Sequence, residues 1–186
     1  MDCHSAHSVK DIRGSKVEIA KVCQAFHSDI YDVYKDSVHG AALLEEGNTD
    51  VPTCSDCHEN HDNTGPDDPG YVLFSPQICA RCHADEDLMA KYGINTEVFQ
   101  TYVADFHGTT VTIFEKVAPD QETNKPVCID CHGVHDIRSP DDAASSVMKE
   151  NLITTCQRCH PDAKPDFDDS WLAHYRPDLD NAPIVY

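Results

Sequence analysis

The chain has 186 residues with a formal charge of −19, and its 10 Cys and 12 His are far above ordinary usage. So acidic a protein is repelled by nucleic acid and by an anionic membrane surface, which argues against both and in favour of simple solubility or a basic redox partner. With 40% hydrophobic and 8% aromatic residues the supply of core is thin, so one domain or two to three small modules are expected, stabilised in part covalently or by a cofactor.

The chain opens on Met1-Asp2-Cys3-His4, which reads as the end of a Cys-x-x-Cys-His unit whose first cysteine lies upstream. A truncated or miscalled N-terminus is therefore expected, and the lack of an export signal carries little weight. Lys21 to Asp29, "KVCQAFHSD", is a similar unit with Phe26 in place of the second cysteine. Asp29 to Leu44 shows helical spacing through Ile30, Val33, Tyr34 and Val38. An intact unit follows at Cys54, and "NTGPDDPG" then reads as a loop. Ser75-Pro76 looks like an N-cap and first helical position, with Gly93 as a stop, which predicts a helix over Pro76–Tyr92. Asn95 to His107 repeats the helical spacing, and Thr109 to Phe114, "TTVTIF", has strand propensity but no partner strand. "VAPDQETNKP" is a second loop, and 142–160 and 168–175 are the remaining helical candidates. No stretch reaches transmembrane length.

Self-similarity organises all of this. Cys54-Ser-Asp-Cys57-His58-Glu-Asn-His61 aligns with Cys128-Ile-Asp-Cys131-His132-Gly-Val-His135, and Met1 to His7 is the same block without its front. A second kind of block follows each: Cys79-Ala-Arg-Cys82-His83 and Cys156-Gln-Arg-Cys159-His160, with Cys23 to His27 as the degenerate first copy. Each second block is trailed by one more histidine, His39, His107 or His174. Three tandem modules result, 1–50, 51–118 and 119–186, the first degenerate, and they account for every cysteine and histidine.

Cys-x-x-Cys-His is the pattern of c-type haem attachment, in which two thiols add to the porphyrin vinyl groups and the histidine ligates the iron. Residues i, i+3 and i+4 share one helix face, so both sulfurs and the imidazole meet one side of one macrocycle. Structural zinc also uses paired Cys-x-x-Cys but does not demand a following histidine, and a disulfide framework leaves the histidines unexplained. The haem-bearing residues are then Cys54, Cys57, Cys79, Cys82, Cys128, Cys131, Cys156 and Cys159, with His58, His83, His132 and His160 as proximal ligands. Four sites need four distal ligands, and the intact modules supply His61, His107, His135 and His174. Methionine would raise the potential, but Met1, Met89 and Met148 do not recur with the modules, so bis-histidine iron is expected. Spacing does not assign the pairs, which can cross between modules. Two readings stand for Cys23 and His27: a fifth haem held by one thioether, or a lost site whose space Phe26 fills. His39 is a spare ligand, the ligand of that fifth haem, or one for the haem at Cys54.

The chain resembles the multihaem c-type cytochromes of the doubled Cys-x-x-Cys-His class over nearly its whole length. That resemblance implies a mainly α fold with extensive coil, short helices wound around closely packed haems, and little or no β structure. It also implies four covalent haems c, electron transfer, and a periplasmic or extracellular location. Redox proteins are the expected partners, a membrane-bound quinol-oxidising complex or another cytochrome among them. An enzyme reducing a small nitrogen or sulfur oxyanion needs an open iron position and cationic residues, and 14 Lys and Arg are few. A filament-forming cytochrome is the third reading. The final "NAPIVY" reads as the start of an apolar run, so a membrane anchor follows only if the chain continues.

Overall fold

The computed structural model describes residues 11–12, 14–118, 126–167 and 174. All regular structure among them is helical: α1 (Lys16–Gln24), α2 (Ser28–Lys35), α3 (Val38–Leu44), α4 (Cys54–His58), α5 (Tyr71–His83), α6 (Glu86–Met89), a 3₁₀ turn (Ala90–Tyr92), α7 (Val98–Ala104), α8 (Phe106–Val117), α9 (Cys128–His132) and α10 (Lys149–Cys156). Long coil segments join them. None of these helices is long and apolar enough to cross a membrane.

Contacts divide the chain into two compact units that run across the repeat boundaries. Unit one comprises Met1–Gly65 with Gly133–Ser139, and unit two comprises Pro66–His132 with Pro140–Tyr186.

In unit one, Ser15 caps α1 by accepting from the Glu18 backbone N–H at 3.3 Å. The single pattern over Asp29–Leu44 resolves into two helices because Ser37 interrupts it. Its backbone is extended, its hydroxyl donates to the Tyr34 carbonyl at 2.7 Å, and the same oxygen accepts from the Gly40 N–H at 3.0 Å. Gly40 is required there, since a Cβ would overlap the Tyr34 carbonyl. The Tyr34 hydroxyl donates to the Pro52 carbonyl at 2.7 Å, just ahead of α4. Ala20 and Leu43 form the buried interior.

Unit two repeats this device. The helix expected through His107 breaks at Asp105, whose extended backbone and carboxylate cap α8 by accepting from the Gly108 N–H at 3.0 Å. A Cβ on Gly108 would overlap the Tyr102 carbonyl, and the Tyr102 hydroxyl donates to the Pro126 carbonyl at 3.0 Å. The strand expected over Thr109–Phe114 is instead the body of α8. Its Asp105 cap and i,i+4 hydroxyl bonds such as Thr112 to the Gly108 carbonyl favour helix, and an isolated strand leaves its own backbone unpaired. Leu73, Val111 and Val127 make the core, with Phe114 and Ile129 against it.

Two further expectations shift. Pro76 lies inside α5 rather than at its start, because the chain turns at left-handed Gly70 and coils from Tyr71. Proline cannot donate to the Val72 carbonyl, and the Ser75 hydroxyl does so instead at 2.7 Å. The helix expected from Asp142 begins only at Lys149, since the Asp142 carboxylate accepts from the Ala144 N–H at 2.8 Å and holds a turn. The helix expected over 168–175 falls outside the described residues except for His174, as does the block at Met1–His7.

Candidate functional site

The cysteine–histidine blocks occupy two kinds of helix position. In the first kind the five block residues are themselves the helix, α4 for Cys54–His58 and α9 for Cys128–His132. The Asp before the second cysteine sits in the first turn and reaches back. Asp56 accepts from the Thr53 N–H and Asp130 from the Val127 N–H, each at 2.7 Å. In the second kind the block closes a longer helix. Cys79–His83 is the last turn of α5, and Cys156 ends α10, with His160 N–H donating to the Cys156 carbonyl at 2.9 Å. There the residue before the second cysteine is Arg81 or Arg158. Asp56 and Asp130 in the first turns of α4 and α9, and Arg81 in the last turn of α5, all suit the helix dipole.

The degenerate block keeps the second kind of backbone. His27 N–H donates to the Cys23 carbonyl at 2.8 Å and Phe26 N–H at 3.0 Å, as Cys159 and His160 do to Cys156. Cys23 is half-buried and His27 exposed. Phe26 is 57% exposed, so it fills no interior space within the described protein.

The fold brings six of these histidines together in three pairs, each joining a block histidine to one outside a block. His58 and His135 have ring centroids 6.1 Å apart at 28°, His132 and His174 6.0 Å at 21°, and His160 and His107 6.2 Å at 49°. His135 reaches its place because Gly133, at φ 80, turns the chain, and Val38 N–H donates to the Ile137 carbonyl at 2.8 Å, fixing that turn in unit one. Asn95 donates to the His174 carbonyl at 2.8 Å. His39 and His83 are half-buried, and His61 is exposed and joins none of the three pairs.

The spacing fits one metal between two rings. An imidazole nitrogen sits about 2 Å from a first-row metal and its ring centroid about 1 Å further, so rings on opposite faces lie about 6 Å apart. The His58 Nδ1–H donates to the Thr64 carbonyl at 2.7 Å, which leaves Nε2 with its lone pair. Burial lowers the pKa of His83, His135 and His174, and it pushes His132 down to about 4, with His174 and His83 adding to the shift. These rings are therefore neutral at pH 7, the state in which imidazole ligates. Phe106 and Phe167 flank the His107–His160 pair, at 6.3 Å from His107 and 5.1 Å from His160, and both are exposed apolar surface.

The cysteines of the four intact blocks and Cys23 are all unbridged thiols, and only Cys159 is exposed. Among the described residues no three His, Cys, Asp or Glu side chains converge as a metal-binding group, so what the fold assembles is imidazole pairs beside thiol pairs.

Sequence reasoning missed Tyr34 and Tyr102, whose hydroxyls hold the segments leading into α4 and α9. Their signal is present: Tyr stands five residues before His39 and His107, with Ser37 or Asp105 two residues before each histidine.

No protein-family description, curated protein or solved structure matches the chain.

Proposed function

We propose that the chain is a multihaem c-type cytochrome that carries electrons outside the cytoplasm. The observation supporting it most is that all three imidazole pairs join a block histidine to a non-block histidine at 6.0–6.2 Å. Haem c supplies an iron that takes up and returns one electron. The chain's part is to anchor and tune. Cys54/Cys57, Cys79/Cys82, Cys128/Cys131 and Cys156/Cys159 offer thiols for thioether bonds, and His58, His83, His132 and His160 offer proximal nitrogens. His135, His174 and His107 are the distal ligands for the blocks on α4, α9 and α10. Thr64 holds the tautomer of His58, and burial keeps His83, His132, His135 and His174 neutral. The exposed apolar residues beside the blocks, Phe106 and Phe167 among them, are surface for a porphyrin to cover.

Where both axial positions are held by imidazole, as proposed for the sites on α4, α9 and α10, there is no open position for a substrate, which favours an electron carrier over an oxyanion reductase. The charge of −19 stabilises ferric iron, lowers the potentials and suits a basic redox partner, another cytochrome or a quinol-oxidising complex. Haem of this type is attached on the outer side of the cytoplasmic membrane, hence the proposed periplasmic or extracellular location.

A pyridine haemochrome assay with intact mass, on protein made in a host competent in cytochrome maturation, tests this reading. Four covalent haems are expected, or five if Cys23 and His27 hold one. A colourless protein, or zinc held tetrahedrally by the same sulfurs, would sink it.

A further inference from the structure

Unit two carries three intact blocks, on α5, α9 and α10, and the block on α9 touches both others. On one side the thiols of Cys79 and Cys128 are hydrogen-bonded to each other, and the helices that carry them, α5 and α9, pack together. On the other side Arg158 donates to the Asp130 carbonyl at 3.3 Å. Ser146 donates to the Cys131 carbonyl while accepting, at its own carbonyl, the Thr155 hydroxyl at 2.7 Å. The shared position of α9 follows from its sequence. It is only five residues long, its start is clasped by Asp130, and Val127 just before it is buried in the core with Leu73.

We propose that the α9 site is the shared neighbour of unit two, so that its redox state sets the potentials of the sites at Cys79/Cys82 and at Cys156/Cys159 alike. This rests on the haem reading above. An electron added at one site is a unit charge, and between half-buried groups this close it is weakly screened by salt. The α5–α9 contact crosses from the second repeat module to the third, whereas the α9–α10 contacts lie within the third.

The test uses the fully loaded protein with His174→Met, a distal exchange that raises the potential of the α9 site and keeps it reduced while the others titrate. Individual sites are followed by their haem-methyl resonances during a redox titration. The midpoints of both the α5 and the α10 sites are expected to fall, because a reduced neighbour disfavours a second reduction. An unchanged midpoint at either site overturns the proposal. Should the variant fail to mature, unaltered holoprotein gives a second measurement. Nuclear Overhauser contacts are expected from the α9 group to the α5 group, close to the Cys79 and Cys128 thioethers, and from the α9 group to the α10 group. Absence of either set overturns it equally. A preparation without covalent haem strikes at the haem reading, whereas a loaded one lacking these couplings strikes only at the role of α9.

Discussion

Two segments of the molecule, α2–α3–α4 in unit one and α7–α8–α9 in unit two, use the same clasp with different surroundings. In both, a tyrosine bonds the carbonyl two residues ahead of the first cysteine, a polar cap starts the second helix, and a glycine lets that helix press on the first. Both also place a buried aliphatic residue four positions after the trailing histidine, Leu43 or Val111. The differences lie outside the clasp. Left-handed Gly47 ends α3, and Asn48 N–H returns to the Ala42 carbonyl at 2.9 Å. No glycine follows Gly108 before Val117, so α8 runs on and leaves Ile113 and Val117 exposed, Val117 by 78%. The residue before the cysteine helix is Thr53 in one copy, tied to the Lys16 carbonyl at 3.1 Å, and buried Val127 in the other. At α4 and α9 the clasp thus places the cysteine helix, while either polar ties or an apolar core can support it.

The largest contrast should come from the paired aliphatics. Leu43→Ala removes a side chain with no exposed surface and is expected to cost about 2–5 kcal/mol, against less for the smaller Val111→Ala. Urea midpoints of the two variants measure this, and a reversed order would show that the copies are not equivalent. Next come Gly40→Ala and Gly108→Ala, where the new Cβ meets backbone carbonyl and something must shift. Losses of about 1–3 kcal/mol, similar in the two, are expected in thermal melts. A smaller effect of opposite sign separates the residues that end the cysteine helices. Glu59 has φ 64, a conformation costly for any side chain, where Gly133 has φ 80. Glu59→Gly should therefore raise stability by about 1 kcal/mol, and Gly133→Ala should lower it by at least as much. The smallest change is Lys16→Ala. It removes the 2.8 Å bond to the Val51 carbonyl and a partly exposed ion pair with Asp56, and about 1 kcal/mol or less is expected.

Much of the helical content was legible in the sequence because the apolar spacing around Tyr34, Tyr102 and the blocks is strong. The breaks were less so. Ser37 and Asp105 look like ordinary polar residues within a periodic run until one sees that each has a glycine three positions on to receive its cap. Thr109–Phe114 reads as a strand from its β-branched residues, a weak local preference that the cap, the close approach at Gly108 and the buried Val111 overrule. Pro76 reads as a helix start because nothing in the sequence announces that Ser75 will take over its missing hydrogen bond. The chemistry of the site was legible to the residue type and spacing. Which imidazole faces which was not: His58 meets His135 and His160 meets His107 across different repeats.

That crossing has a thermodynamic side. On the proposed reading each completed imidazole pair is a cross-link, fastening His58 to a residue more than a third of the chain away and His107 to one well beyond the second loop. A tie of that span removes conformations from the unfolded ensemble much as a long-range disulfide does, and the entropy gained grows with the logarithm of the loop it closes. A chain with so few buried aliphatics among its described residues can then hold its shape through the groups it carries, and losing them should loosen the whole fold together with its function.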